Sequence, residues 1–167
     1  SLEEIRLPDS VTNVGYRAFY NDTKLRTVNY PKNCTGSGTN TYYGNVFEGC
    51  TSLETVEIPE GTGKIADYYF RNSSISSIMI PESVTSIGIA AFANCDKLTE
   101  IEIPVGVTAI SGSLFSGCNA LKKIELKEGL KTIGSYAFED CMSLEEIRLP
   151  DSVTNVGYRA FYNDTKL

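Results

Sequence analysis

The sequence predicts an α/β repeat solenoid of about seven coils, each 22–23 residues long. Three observations carry this. The seven phenylalanines, Phe19, Phe47, Phe70, Phe92, Phe115, Phe138 and Phe161, are spaced 28, 23, 22, 23, 23 and 23 apart. All six prolines (Pro8, Pro31, Pro59, Pro81, Pro104, Pro150) share one position in the unit, where the remaining unit has Lys127. Four of the five cysteines, Cys50, Cys95, Cys118 and Cys141, follow a phenylalanine by three residues. Whole residue classes held at one phase, with leucine-like residues at fixed offsets, mark stacked repeats.

The unit is clearest from Cys95 to Cys118. Ile101-Glu102-Ile103 alternates apolar and polar, the pattern of a short half-buried strand. Equivalent strands are expected at Ile5–Leu7, Val28–Tyr30, Val56–Ile58, Ile78–Ile80, Ile124–Leu126 and Ile147–Leu149. Stacked once per coil, they would form a parallel sheet at ~4.8 Å spacing. The proline closes each strand, because it has no N–H to give the ladder. Val84–Ile87 and Val153–Val156 suggest a second, shorter ladder. Gly88–Phe92 and Gly134–Phe138 read as a turn leading into one helical turn, with the phenylalanine facing the core. One coil cannot bury its own apolar edge, so stability must come from stacking.

The pattern Leu-x-x-Ile-x-Ile-Pro-x-x-Val-x-x-Ile-Gly-x-x-Ala-Phe-x-x-Cys runs through the whole chain and resembles the BspA-like branch of leucine-rich repeats. The resemblance implies a curved, right-handed leucine-rich-repeat solenoid. It also implies a cell-surface or secreted, extracellular protein of a host-associated microbe with a role in adhesion. It brings no catalytic residues and no fixed binding motif.

Composition bounds the function classes. A net charge of −6 disfavours nucleic-acid backbones and anionic lipid. No apolar run approaches the ~20 residues of a membrane span, so no direct membrane insertion is expected. The whole of 1–167 reads as one domain. It is expected to be a fragment of a longer array, since it opens and closes mid-unit. Residues 1–25 and 143–167 are identical, which implies either recent duplication of a 142-residue block or an artificial overlap. The first is favoured, because drift would have altered exposed positions. Uncapped ends make end-to-end self-association an expectation.

Two units depart from the pattern. The second carries an inserted loop, 32–46, rich in Gly, Ser, Thr and Asn. Insertions in solenoids map to one face, often the binding face, so Tyr42 and Tyr43 near its tip are candidate contacts. In the third, Tyr68-Tyr69 precedes Phe70, Ser73 replaces the cysteine, and Ile75 arrives one residue early. This reads as local repacking around Tyr69.

No chemistry of catalysis emerges. The chain has no histidine, which removes histidine-based nucleophilic triads. The cysteines lack C-x-x-C spacing and read as a buried column, with disulfides or a metal as weaker alternatives. Cys34, in the inserted loop, would be a reactive thiol if exposed. Glu100 and Glu102 share a strand face, but a smooth sheet gives no cleft in which to raise a carboxyl pKa. No cofactor loop is present. Four Asn-x-Ser/Thr sites begin at Asn21, Asn33, Asn72 and Asn163. Outward strand positions remain as the candidate surface: Thr55, Glu57, Ser77, Met79, Glu100 and Glu102. The sequence therefore predicts a non-enzymatic module that binds a host protein or glycan. The alternative is a structural spacer or self-associating stalk.

Overall fold

The structure, a computed structural model, describes residues 2–36 and 46–167. Ten short strands lie within them: β1 (Glu4–Ile5), β2 (Thr27–Asn29), β3 (Thr55–Glu57), β4 (Lys64–Ile65), β5 (Ser86–Ile87), β6 (Glu100–Glu102), β7 (Ala109–Ile110), β8 (Lys123–Glu125), β9 (Thr132–Ile133) and β10 (Asn155–Val156). Every pairing between them is parallel.

Two ladders run along the solenoid. The first joins β1, β2 and β3, then β6 and β8, with buried residues in register: Ile5, Val28 and Val56, then Ile101 and Ile124. These strands start one residue earlier than expected, so a buried centre lies between two outward residues, as in Glu100-Ile101-Glu102. The second joins β4 to β5, and β7 to β9 and β10. The expected strands at Ile78–Ile80 and Ile147–Leu149 do not form.

The expected helical turn is replaced by a third ladder. No helix occurs among the described residues. Around Phe19, Phe70, Phe92, Phe115 and Phe138, alternate N–H groups bond within the coil and to the next coil. Ala93 N–H donates to Ala90 at 3.2 Å, while Ala90, Phe92 and Asn94 donate to Gly112, Leu114 and Ser116 of the following coil at 3.0, 3.2 and 2.7 Å. Helix is blocked because the residues two before and two after the phenylalanine are left-handed. Ala90 has φ 50° and Asn94 φ 56° around Phe92; Tyr136 and Asp140 have 59° and 61° around Phe138. The second of these positions is Asn21, Gly49, Asn72, Asn94, Gly117, Asp140 and Asn163 in turn, residues that tolerate left-handed backbone. Gly117 is needed there for a further reason: a Cβ would lie 2.1 Å from Asn94 Oδ1.

The core is a single file. The seven phenylalanine rings stack coil on coil with centroids 5.3 to 6.0 Å apart and planes within 18° of parallel. Seven stacked rings bound six complete turns. Tyr69 is fully buried and meets Tyr30 edge-on at 4.7 Å, which is the repacking expected of the third unit. The series cysteines are buried free thiols. Cys50, Cys95, Cys118 and Cys141 donate to the carbonyl oxygens of Phe19, Phe70, Phe92 and Phe115 at 2.9 to 3.2 Å. Burial pushes the Cys95 thiol up to about 12. Cys34 is not the exposed thiol the loop suggested. It is 1% exposed, bonded to the Gly36 carbonyl, and held above the ordinary thiol range by burial.

Candidate binding groove on the strand face

The internal break in the first ladder falls at the 22-residue unit; the ladder also stops after β8, where the closing bond, Leu144 N–H to Cys141 at 3.0 Å, is intact. In the regular coils the turn after the cysteine closes when the leucine N–H donates three residues back. Leu53 donates to Cys50 at 3.2 Å, Leu98 to Cys95 at 3.1 Å and Leu121 to Cys118 at 3.0 Å. In the short unit Ile75 takes the leucine place only two residues after Ser73, so this bond cannot form. The chain then enters Ser77-Ile78-Met79 out of step with its neighbours. No backbone hydrogen bond links this segment to β3 among the described residues, and a single one, Thr99 N–H to Ser76 at 3.3 Å, crosses towards β6.

A groove of about 590 Å³ opens over the break. Val56, Ile80 and Ile101, each under 10% exposed, contribute its apolar lining. Met79 is 85% exposed, the most exposed large apolar residue among those described. Glu54, Glu100, Glu102 and Glu125 line the same groove with Lys123 as the one cation. The surface is therefore acidic, with an apolar contact at its centre.

Five of the six strand-face candidates, Thr55, Ser77, Met79, Glu100 and Glu102, meet in this groove. Glu57 does not line it; its carboxylate is paired with Arg6 at 3.1 Å. Tyr42 and Tyr43 lie outside the described residues. The expectation of a smooth sheet fails at the break. Even so, the Glu102 side chain remains 61% exposed and pairs with Lys127. Lys127 also reaches Glu82 at 3.4 Å, so the one unit lacking proline carries a cation that ties three coils together. Glu102, as the hydrogen-bond acceptor, is the main cause holding the Lys127 ammonium above its usual range. Sequence reading weighed Glu54 only as a loose carboxylate pair with Glu57, and it missed this Lys127 clamp. The signal for the groove was the early Ile75.

Comparison with known proteins agrees with this architecture. The family model described as "BspA type Leucine rich repeat region" matches residues 1–46 and 41–167 in six copies. A leucine-rich repeat protein from Bacteroides ovatus is 36% identical over 92% of this chain and 39% of its own, with a TM-score of 0.76. A leucine rich cell surface protein from Faecalibacterium prausnitzii is 31% identical over 99% of this chain and 46% of its own, with a TM-score of 0.79. A T. pallidum leucine-rich repeat protein is 27% identical, covering 99% of this chain and 78% of its own, with a TM-score of 0.83. The chain thus spans less than half the length of the first two. No functionally curated protein matches it in sequence. On the repeat pattern, the stacked parallel coils and the family match along its length, the chain belongs to the BspA-type leucine-rich repeat family.

Proposed function

We propose that the chain is a non-enzymatic binding module of a cell-surface or secreted bacterial protein, and that it holds a host-derived protein in the strand-face groove. The observation that carries this is the ladder break, which leaves Met79 85% exposed over a groove lined by four glutamates. An interface of this kind needs an apolar anchor within a polar rim. The acidic lining suits a partner segment bearing lysine or arginine, and makes an acidic glycan a poor occupant of this groove. The exposure of the Glu102 side chain, at 61%, favours a solvated recognition surface over a catalytic pair. The cell-surface reading leans on the Faecalibacterium prausnitzii relative.

The test is a binding screen of the immobilised chain against matrix proteins, mucin and glycans, with Met79→Arg alongside. A saturable protein hit lost in Met79→Arg supports the groove. A protein hit retained in that variant overturns the site. Absence of any hit at tens of micromolar overturns the module and leaves a second reading. In that reading the chain is a spacer or self-associating stalk, favoured by the identity of 1–25 with 143–167.

A further inference from the structure

The phenylalanine-centred turns form a separate face, and it carries a notch. Two columns of side chains flank the stacked rings there. Among the described residues, Arg17, Tyr68, Ala90, Ser113, Tyr136 and Arg159 stand two before a phenylalanine; one residue after stand Tyr20, Glu48, Arg71, Ala93, Ser116, Glu139 and Tyr162. Among the described residues, large side chains fill both columns except in two adjacent coils, where all four positions are Ala or Ser. The third ladder fixes these coils in register, through Ala90 N–H to Gly112 and Ser113 N–H to Ser135. The missing bulk leaves a hollow of about 410 Å³ lined by Tyr68, Arg71, Ala90, Ala93, Asn94, Ser113 and Ser116, with Ile89 at its side. From Tyr68 to Tyr136 is three coil steps, about 14 Å at ~4.8 Å per step.

Arg71 is the chemical centre of the hollow. Its Nε is buried without a hydrogen-bond partner. Among the described residues no carboxylate pairs with it, and its guanidinium carbon lies 5.9 Å from the Tyr68 ring centroid. Arg17 shares the buried, unbonded Nε but differs in its carboxylate: its guanidinium reaches Glu48 at 3.4 Å. An unpaired guanidinium fork matches a carboxylate in geometry and charge. The Tyr68 ring offers an apolar plane for the C–H face of a pyranose. The Ser113 and Ser116 hydroxyls offer partners for sugar hydroxyls, as does the rest of the Asn94 amide, whose Nδ2 donates to Asn72 Oδ1 at 2.8 Å. Width and volume suit one or two sugar rings.

We propose that this notch binds a carboxylate-bearing sugar unit of a glycan, with Arg71 on the carboxylate and Tyr68 beneath the ring. The site is separate from the strand-face groove, so the two readings stand or fall independently.

The test is amide-resolved NMR titration of the full 167-residue chain with methyl β-glucuronide, methyl β-glucoside and acetate. The expected result is saturable shifts at Tyr68, Asn94 and Ser116 with the glucuronide, with binding at least about tenfold weaker for the neutral glucoside and for acetate. Arg71→Gln should weaken the glucuronide at least about tenfold. Ser116→Glu should do the same by filling the hollow with the side chain that Glu48 and Glu139 carry in other coils, a change the fold accommodates. Met79→Arg should leave it unchanged. Equal binding of glucuronide and glucoside, shifts reproduced by acetate, or no saturable shift would each overturn the proposal.

Discussion

The Cys118 thiol donates to the carbonyl oxygen of Phe92, 3.1 Å away and one coil back along the solenoid. The same oxygen accepts the Cys95 N–H at 3.2 Å. Cys95 and Cys141 repeat the arrangement on Phe70 and Phe115. The thiol is thus a small apolar filler that also links successive coils. Cys118→Ala leaves a small void and removes one donor, and should cost about 1–2 kcal/mol in denaturant unfolding. The native chain should also resist maleimide at all five cysteines until it unfolds, since each is buried and free. Rapid stoichiometric labelling of Cys34 would show that its bond to Gly36 does not protect it.

The ring file makes a graded prediction. Phe92 is sandwiched between Phe70 at 5.5 Å and Phe115 at 5.9 Å. Phe161 stacks on Phe138 at 5.3 Å on one side and is only half-buried. Phe92→Ala should cost roughly 3–5 kcal/mol, and Phe161→Ala about half as much. Equal costs would mean that the file does not act as a stack of neighbours.

The phase of Phe92 and the burial of Ile101 between Glu100 and Glu102 were legible because periodicity alone decides them. The left-handed turns were not. Arg17, Tyr68 and Ala90 have no local preference for positive φ, and the stacking ladder holds them there. The clue lay two residues after each phenylalanine, where Asn, Gly or Asp always stands. The groove was half legible. The early Ile75 is visible in the sequence, but its effect depends on the register of the coils on either side. Arg71 gave no signal by itself; the hollow beside it shows only when the columns are aligned.

The missing residue can be put back. Inserting one Asp between Ser73 and Ser74 restores the regular spacing and lets the Ile75 N–H reach the Ser73 carbonyl, as Leu98 reaches Cys95 at 3.1 Å. Ser77-Ile78-Met79 should then pair with β3 and β6 and close the groove. Hydrogen exchange is the readout: amides at 77–80 should become as protected as those of Glu100–Glu102. Unchanged exchange would place the cause of the break elsewhere in the coil.

Asp164 gives the pH prediction. It occupies the place of the series cysteine in the last coil. Its Oδ1 accepts the Cys141 N–H at 2.8 Å, while its Oδ2 is buried without a partner. Burial raises the carboxyl to about 6, opposed by the Cys141 hydrogen bond and aided by Asp140 and Glu139. The folded chain therefore binds this proton more tightly than the unfolded chain, whose carboxyl titrates near 4. Stability from this group is full below pH 4, falls as pH rises from about 4 to about 6, and is level above that. The carboxyl is only part-buried, so solvent screening leaves an effect on the order of 1 kcal/mol. Asp164→Asn keeps the acceptor for Cys141 and removes the charge. It should stabilise the chain at pH 7, leave it nearly unchanged at pH 4, and flatten the slope between. Thermal melts at the two pH values check this, and a variant that destabilises equally at both would mean that the carboxyl group holds the last coil in place whatever its charge.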